Sequence, residues 1–172
     1  MEIKRKFLIE QDDDFMKALL TGKESYDIEL VFIKTGYIEE TIQRKTDLNT
    51  KDVKYLHTIK IKKNRLSDLV REKIVNDISE VDFGKYKVLQ IGDVVHKVRY
   101  IIPNGKNNIE VSIYQDGLAG LSVAEVKFRN EKEAKAFEIP AYFGEEITDN
   151  KEYKNSSLAE AGLPKVDPVC VS

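Results

Sequence analysis

The chain opens Met1-Glu2-Ile3-Lys4-Arg5-Lys6-Phe7-Leu8-Ile9, and its alternate residues form two rows of different character. One row is Ile3, Arg5, Phe7 and Ile9; the other is Glu2, Lys4 and Lys6. A β-strand sends successive side chains to opposite faces. If the mostly apolar row packs against the rest of the protein, the charged row points either into bulk water or into an enclosed polar space. The choice between the two decides what the fold is for.

The same alternation recurs along the chain. Segments 25–33 and 37–45 flank Thr35-Gly36, and 55–63 and 68–76 follow. Segments 87–90 and 94–102 flank Gly92-Asp93, a hairpin signal. Segments 109–114 and 123–129 come after a turn at Pro103-Asn104-Gly105. Strands this numerous and closely spaced predict a closed or nearly closed antiparallel β-barrel. Helices are few. Segment 11–20 carries Asp12, Asp13 and Asp14 at its start, where the helix dipole favours anions. Asn130 is placed to cap a helix over 130–138, with Glu133 three residues on. Short helices are expected at 79–86 and 156–161. The chain reads as α+β, mainly β, with one domain over 1–160 and a tail over 161–172 marked by Pro164 and Pro168.

Bulk charge is uninformative. Lys+Arg 28 against Asp+Glu 30 gives a net charge of -2, so neither a long nucleic acid nor a membrane is an expected partner. The lone cysteine, Cys170, excludes an internal disulfide framework and suits a reducing compartment. The first residues are too charged for a signal peptide, and no apolar run approaches the ~18 residues of a membrane span. A soluble, cytoplasmic protein is expected.

Local charge is informative. The rows opposite the apolar ones hold Lys4 and Lys6, Lys60 and Lys62, Arg71 and Lys73, Lys97 and Arg99, and Lys127 and Arg129. Against them stand only Glu2, Glu110 and Glu125. In an ordinary antiparallel sheet these rows are solvated outer faces. Turned inward, they make a cavity of one sign that concentrates anions.

In their order, these residues resemble the CYTH family, also called triphosphate tunnel metalloenzymes. The resemblance covers residues 1–160. It is carried by Glu2-Ile3-Lys4-Arg5-Lys6, Thr35-Gly36-Tyr37-Ile38, His57-Thr58-Ile59-Lys60 and Lys97-Val98-Arg99-Tyr100. It continues through Glu110-Val111-Ser112, Gly120-Leu121 with Ala124-Glu125-Val126-Lys127, and Gly144-Glu145-Glu146-Ile147-Thr148. Tyr153-Lys154-Asn155 and Leu158-Ala159 complete it. The resemblance implies an eight-stranded antiparallel tunnel with charged rows inward. Lysines and arginines would bind a triphosphate, and inward acids would hold Mg²⁺ or Mn²⁺ for hydrolysis or cyclisation.

Carried over residue by residue, the acidic set is depleted. Glu2 and Glu125 match, but Lys4, Lys73, Val75, Ser112 and Lys127 stand at acidic positions of the pattern. The basic set survives better. Lys6, Lys60, Arg71, Lys97 and Arg99 match; Lys45 alone is kept from an Arg-x-Arg strand; Lys62 and Arg129 lie near strand ends. Together with Lys4, Lys73 and Lys127 these form the expected ligand-binding set, with Tyr37, Tyr100 and Tyr114 as candidates to stack a base. The leading expectation is metal-independent binding or sequestration of a phosphate-rich anion by a catalytically degenerate protein. The ligand would be a nucleotide, cyclic oligonucleotide or polyphosphate. The alternative is a Mg- or Mn-dependent triphosphatase or adenylyl cyclase using Glu2, Glu110, Glu125 and, through a one-residue bulge, Glu72. A third reading is an interaction scaffold. His57 and His96 read as structural, without acidic partners at metal-ligand spacing, and Glu145-Glu146 as a surface loop.

Overall fold

A computed structural model describes residues 3–64 and 70–165. Glu2, the predicted strand start at 68–69 and the tail residues Pro168 and Cys170 lie outside them. Eight strands are present: β1 (Ile3–Leu8), β2 (Glu24–Lys34), β3 (Ile38–Asp47), β4 (Val53–Lys62), β5 (Val70–Ile78), β6 (Ile91–Asn104), β7 (Asn107–Tyr114) and β8 (Ser122–Phe128). They form one antiparallel sheet in the order β1-β8-β7-β6-β2-β3-β4-β5. The sheet curls, because Lys4 on β1 lies close enough to Lys60 on β4 to lower its pKa.

Among the described residues no ladder joins the edge strands β1 and β5, so the predicted barrel is not closed by hydrogen bonds. The edge of β1 is taken by the segment around Glu145-Glu146 instead. Leu8 N donates to Glu145 O (2.8 Å), Gly144 N to Leu8 O (2.7 Å) and Ile147 N to Lys6 O (2.8 Å). That segment is therefore more than a surface loop. Glu146 also receives a bidentate bond from Arg5, at 2.7 and 2.9 Å, which accounts for the one charge in the apolar row of β1.

Helices cover the outer face. α1 (Asp13–Leu20), capped by Asp12, and α3 (Glu131–Ala136), capped by Asn130 onto Glu133 N, bound a core built on the outward residues of β1, β8, β7 and β6. Val111, Ala124 and Val126 are buried there, and Phe7, also buried, packs on Phe143. α2 (Glu80–Lys87), capped by Ser79, packs Phe83 on Tyr55 and against Val31 and Ile42. Among the described residues no helix is long and apolar enough to cross a membrane.

The Gly92-Asp93 hairpin does not form. Residues 87–90 finish α2 and its turn, and β6 runs through Gly92. Gly92 (φ +68) serves a different purpose. A Cβ there would lie 2.5 Å from the carbonyl oxygen of Ala159, so the glycine lets β6 pass under α4 (Asn155–Ala161). The actual β6–β7 turn uses Gly105 (φ +61) between Asn104 and Asn107.

The inward face has two zones. Leu30, Phe32, Val95 and Val123 meet Leu158 and Ala159 of α4 in an apolar plug at one end. Beyond the plug the same inward rows become charged.

Candidate functional site

The charged rows face inward. They line a cavity of about 350 Å³. β1 contributes Lys4 and Lys6, β3 Lys45, β4 Lys60 and Lys62, and β5 Lys73. β6 adds Lys97 and Arg99, and β8 adds Lys127. The acids are Glu39, Glu110 and Glu125, and the plug supplies the aliphatic floor. Strand register places these groups in layers. Lys6, Glu125 and Glu110 are Cα partners across β1, β8 and β7, and Lys4 pairs with Lys127 one layer away. Lys60 lies between Glu39 and Lys73 across β3, β4 and β5.

Enclosure changes the chemistry of these groups. Lys97 is 5% exposed. Burial first, and then the neighbouring Arg99, lower its pKa to about 7. Burial, with Lys4 and Lys73 close by, lowers Lys60 to about 8. Lys6 and Lys45 are lowered chiefly by burial too. Burial alone would raise the Glu125 carboxyl, but Lys4, Lys6, Lys97 and Lys127 overcome this and hold it at about 2. Glu125 accordingly sits 3.8 Å from Lys4 Nζ, and Glu110 sits 3.9 Å from Lys127 Nζ. The Nε of Arg99 is buried with no hydrogen-bond partner among the described residues. An anion oxygen would satisfy it.

Several expected site residues lie elsewhere. Arg71 is the extra residue of a bulge between Ile61/Lys62 and Glu72/Val70. The bulge turns Val70 into the cavity and leaves Arg71 exposed. It falls on the wrong side to rescue Glu72, which pairs with Ile61 on the outer face. Arg129 lies beyond the end of β8 and bonds Glu133 at 2.8 Å. Tyr37 is exposed in the β2–β3 turn. Tyr100 packs in the outer core, and Tyr114 is buried with its hydroxyl donated to Asn155 Oδ1 (2.8 Å), so neither offers a ring face to a base. Glu39, Thr148 and Lys154 line the cavity although the row analysis did not select them. The Glu39 signal was present, because 39, 41, 43 and 45 form one row of β3.

The histidines do have acidic partners. His57 Nε2 meets Glu40 at 3.2 Å and the ring stacks on Tyr86. His96 lies between Asp27 (2.7 Å) and Asp116 (2.8 Å). Burial opposes its charging, but the two carboxylates prevail and raise its pKa. Both residues lie outside the cavity lining, in structural positions.

The divalent ion implied by the resemblance can be tested against this donor set. A hard cation takes about six oxygen ligands. Among the described residues no three acidic, histidine or cysteine side chains gather closely enough to hold one. Glu110 and Glu125 are neighbours, but each already faces a lysine. The described residues do not fit a metal centre.

A curled antiparallel sheet with cations turned inward defines a tunnel-type fold with a basic interior. No protein-family model matches the chain. A curated relative, an inorganic triphosphatase of Nitrosomonas europaea, is 30% identical over 161 residues, covering 92% of this chain and 96% of that protein. The crystal structure of an inorganic triphosphatase superposes with a TM-score of 0.65 at 26% identity, covering 95% of this chain and 97% of that one. The fold is shared with a Hippeastrum protein described as an adenylyl cyclase with a dominant triphosphatase activity (TM-score 0.52, 13% identity, 79% and 83% covered). The chain belongs to the CYTH, or triphosphate tunnel, family. These relatives overturn the expectation of a catalytically degenerate binder. That expectation rests on the depleted acids. The relatives at 30% and 26% identity are named for hydrolysis, and the enzymatic alternative is the better reading.

Proposed function

We propose that the protein hydrolyses inorganic triphosphate in the basic cavity. The observation that carries the reading is the inward convergence of ammonium and guanidinium groups from β1, β3, β4, β5, β6 and β8 on one space, in a chain similar to an inorganic triphosphatase. Phosphoryl transfer needs little covalent help from a protein. It needs a fixed phosphate chain and positive charge where negative charge builds up.

Each wall has a part to play. Lys60, Lys62 and Lys73 grip one side of the chain of phosphates. Arg99 is preorganised on the other, its Nε buried and available to a phosphate oxygen. Burial disfavours the ammonium forms of Lys97 and Lys60, and a bound polyanion would favour them again. An inorganic chain fits better than a nucleotide. None of Tyr37, Tyr100 and Tyr114 lines the cavity, and the one aromatic lining residue among the described residues, Phe32, is buried in the plug.

Phosphate release from tripolyphosphate and from ATP by the full chain tests this. Tripolyphosphate is expected to be cleaved with a kcat/KM at least about tenfold above that of ATP, and Lys60→Ala to lower it about 100-fold. No release from either substrate, or a preference for ATP, would contradict the reading.

A further inference from the structure

The cavity that best suits triphosphate is poorly suited to a divalent ion, and the same residues cause both. Glu110 and Glu125 are cross-strand partners and the only adjacent carboxylates among the described lining residues. Lys4 approaches Glu125 to 3.8 Å and Lys127 approaches Glu110 to 3.9 Å. Lys4 and Lys127 are themselves Cα partners across β1 and β8. Two ammonium groups side by side repel, and the pair of carboxylates beneath them offsets that repulsion. A divalent cation entering between Glu110 and Glu125 would have to displace both ammonium groups or approach them closely. Without substrate it would also find, among the described lining residues, only these two adjacent carboxylates to replace its water.

We propose that the chain cleaves triphosphate without a divalent ion, with Lys4 and Lys127, seated on Glu125 and Glu110, as the electrophiles that neutralise the phosphoryl oxygens. The inference rests on the triphosphatase reading above. In the reaction a water oxygen bonds to the terminal phosphorus as the bridging P–O bond breaks. Diphosphate leaves with the bonding electron pair. The two protons of the water end on the two products, one each, and nothing is oxidised or reduced. The role of Lys4 and Lys127 is to stabilise the charge that builds on the departing diphosphate and on the equatorial oxygens. Magnesium is then a competitor, because it shields part of the negative charge by which the cationic walls hold the substrate.

The test uses the full chain, inorganic tripolyphosphate, and two readouts. Phosphate release is followed in EDTA and in Mg²⁺ or Mn²⁺, and Mn²⁺ binding is followed by electron paramagnetic resonance without substrate. The wild type is expected to turn over in EDTA at least as fast as in Mg²⁺ and to leave the free Mn²⁺ signal unchanged. The Lys4→Glu/Lys127→Glu variant is expected to lose about 100-fold of the rate in EDTA and to bind Mn²⁺, since the site gains two carboxylates and loses two cations. Lys4→Arg/Lys127→Arg is expected to keep the rate within about tenfold. Turnover that vanishes in EDTA and returns with Mn²⁺ bound to the wild type overturns the inference and leaves the triphosphatase reading intact. No turnover under any condition overturns both. The two wild-type measurements decide the matter even if the charge-reversed variant does not fold.

Discussion

The two walls of the cavity differ in how their charge is answered. On β1, β7 and β8, Lys4 and Lys127 each face a carboxylate within 4 Å, and Lys6 is the cross-strand partner of Glu125. On β4 and β5, Lys60 and Lys73 are cross-strand partners, and among the described residues Glu39 is the only acid in that layer of the lining. The first wall is nearly neutral and braced from outside by α1 and α3. The second is cationic, and its β5 strand is almost wholly exposed. A paired wall holds its geometry without a ligand, while an unpaired wall pays in repulsion until a polyanion arrives. On the proposed function, the cavity separates positioning from capture.

The largest effect is expected on the cationic wall. Removing both members of its central pair in Lys60→Ala/Lys73→Ala should weaken tripolyphosphate binding by about 100-fold or more in calorimetry. A loss under tenfold would mean that capture occurs elsewhere. On the paired wall the consequence should fall on stability first. Glu125→Gln leaves Lys4, Lys6, Lys97 and Lys127 without their shared counter-charge. It should cost about 3 kcal/mol in the anion-free protein, with much of the loss recovered when tripolyphosphate binds. Denaturant melts with and without the anion measure this. The pH dependence has a definite sign. The Glu125 carboxyl is held at about 2, so its stabilising contribution is complete above the ordinary carboxylate range and is lost as pH falls from there through about 2.

The depressed lysines act in the opposite sense. Lys97 at about 7 and Lys60 at about 8 disfavour their charged forms in the empty fold, so stability should rise between about pH 7 and pH 10. Binding of tripolyphosphate at pH 8 should take up protons, seen as a dependence of calorimetric heat on buffer ionisation enthalpy. Equal heats in all buffers would show that these lysines are already charged. The smallest effects are expected outside the cavity. Arg71→Ala and Arg129→Ala should leave triphosphate turnover within about twofold, because neither side chain lines the cavity.

Much of this was legible in the strand rows. The opening alternation placed Lys4 and Lys6 inward and Ile3, Phe7 and Ile9 outward, as the cavity and the outer core show. The plug was legible as well, had the rows been followed further: Leu8 continues Lys6, Val95 precedes Lys97, and Val123 precedes Glu125. What stayed hidden depends on partners. Arg71 leaves the row because the β4–β5 ladder skips it, and no local pattern reveals a skipped hydrogen bond. Gly92 resembled a hairpin turn because glycine marks both tight turns and close backbone approach, and only the position of α4 distinguishes them. His96 meets Asp27 and Asp116 across 69 and 20 residues of sequence, beyond any spacing rule.

The central claim is that a phosphate chain lies between the two walls. A crystal structure of the protein with tripolyphosphate measures it directly. The account predicts the anion inside the curled sheet, contacting Lys60 and Lys73 of one wall, Lys4 and Lys127 of the other, and Arg99 of β6. An anion bound on the outer face, or a vacant cavity at saturating tripolyphosphate, would contradict it.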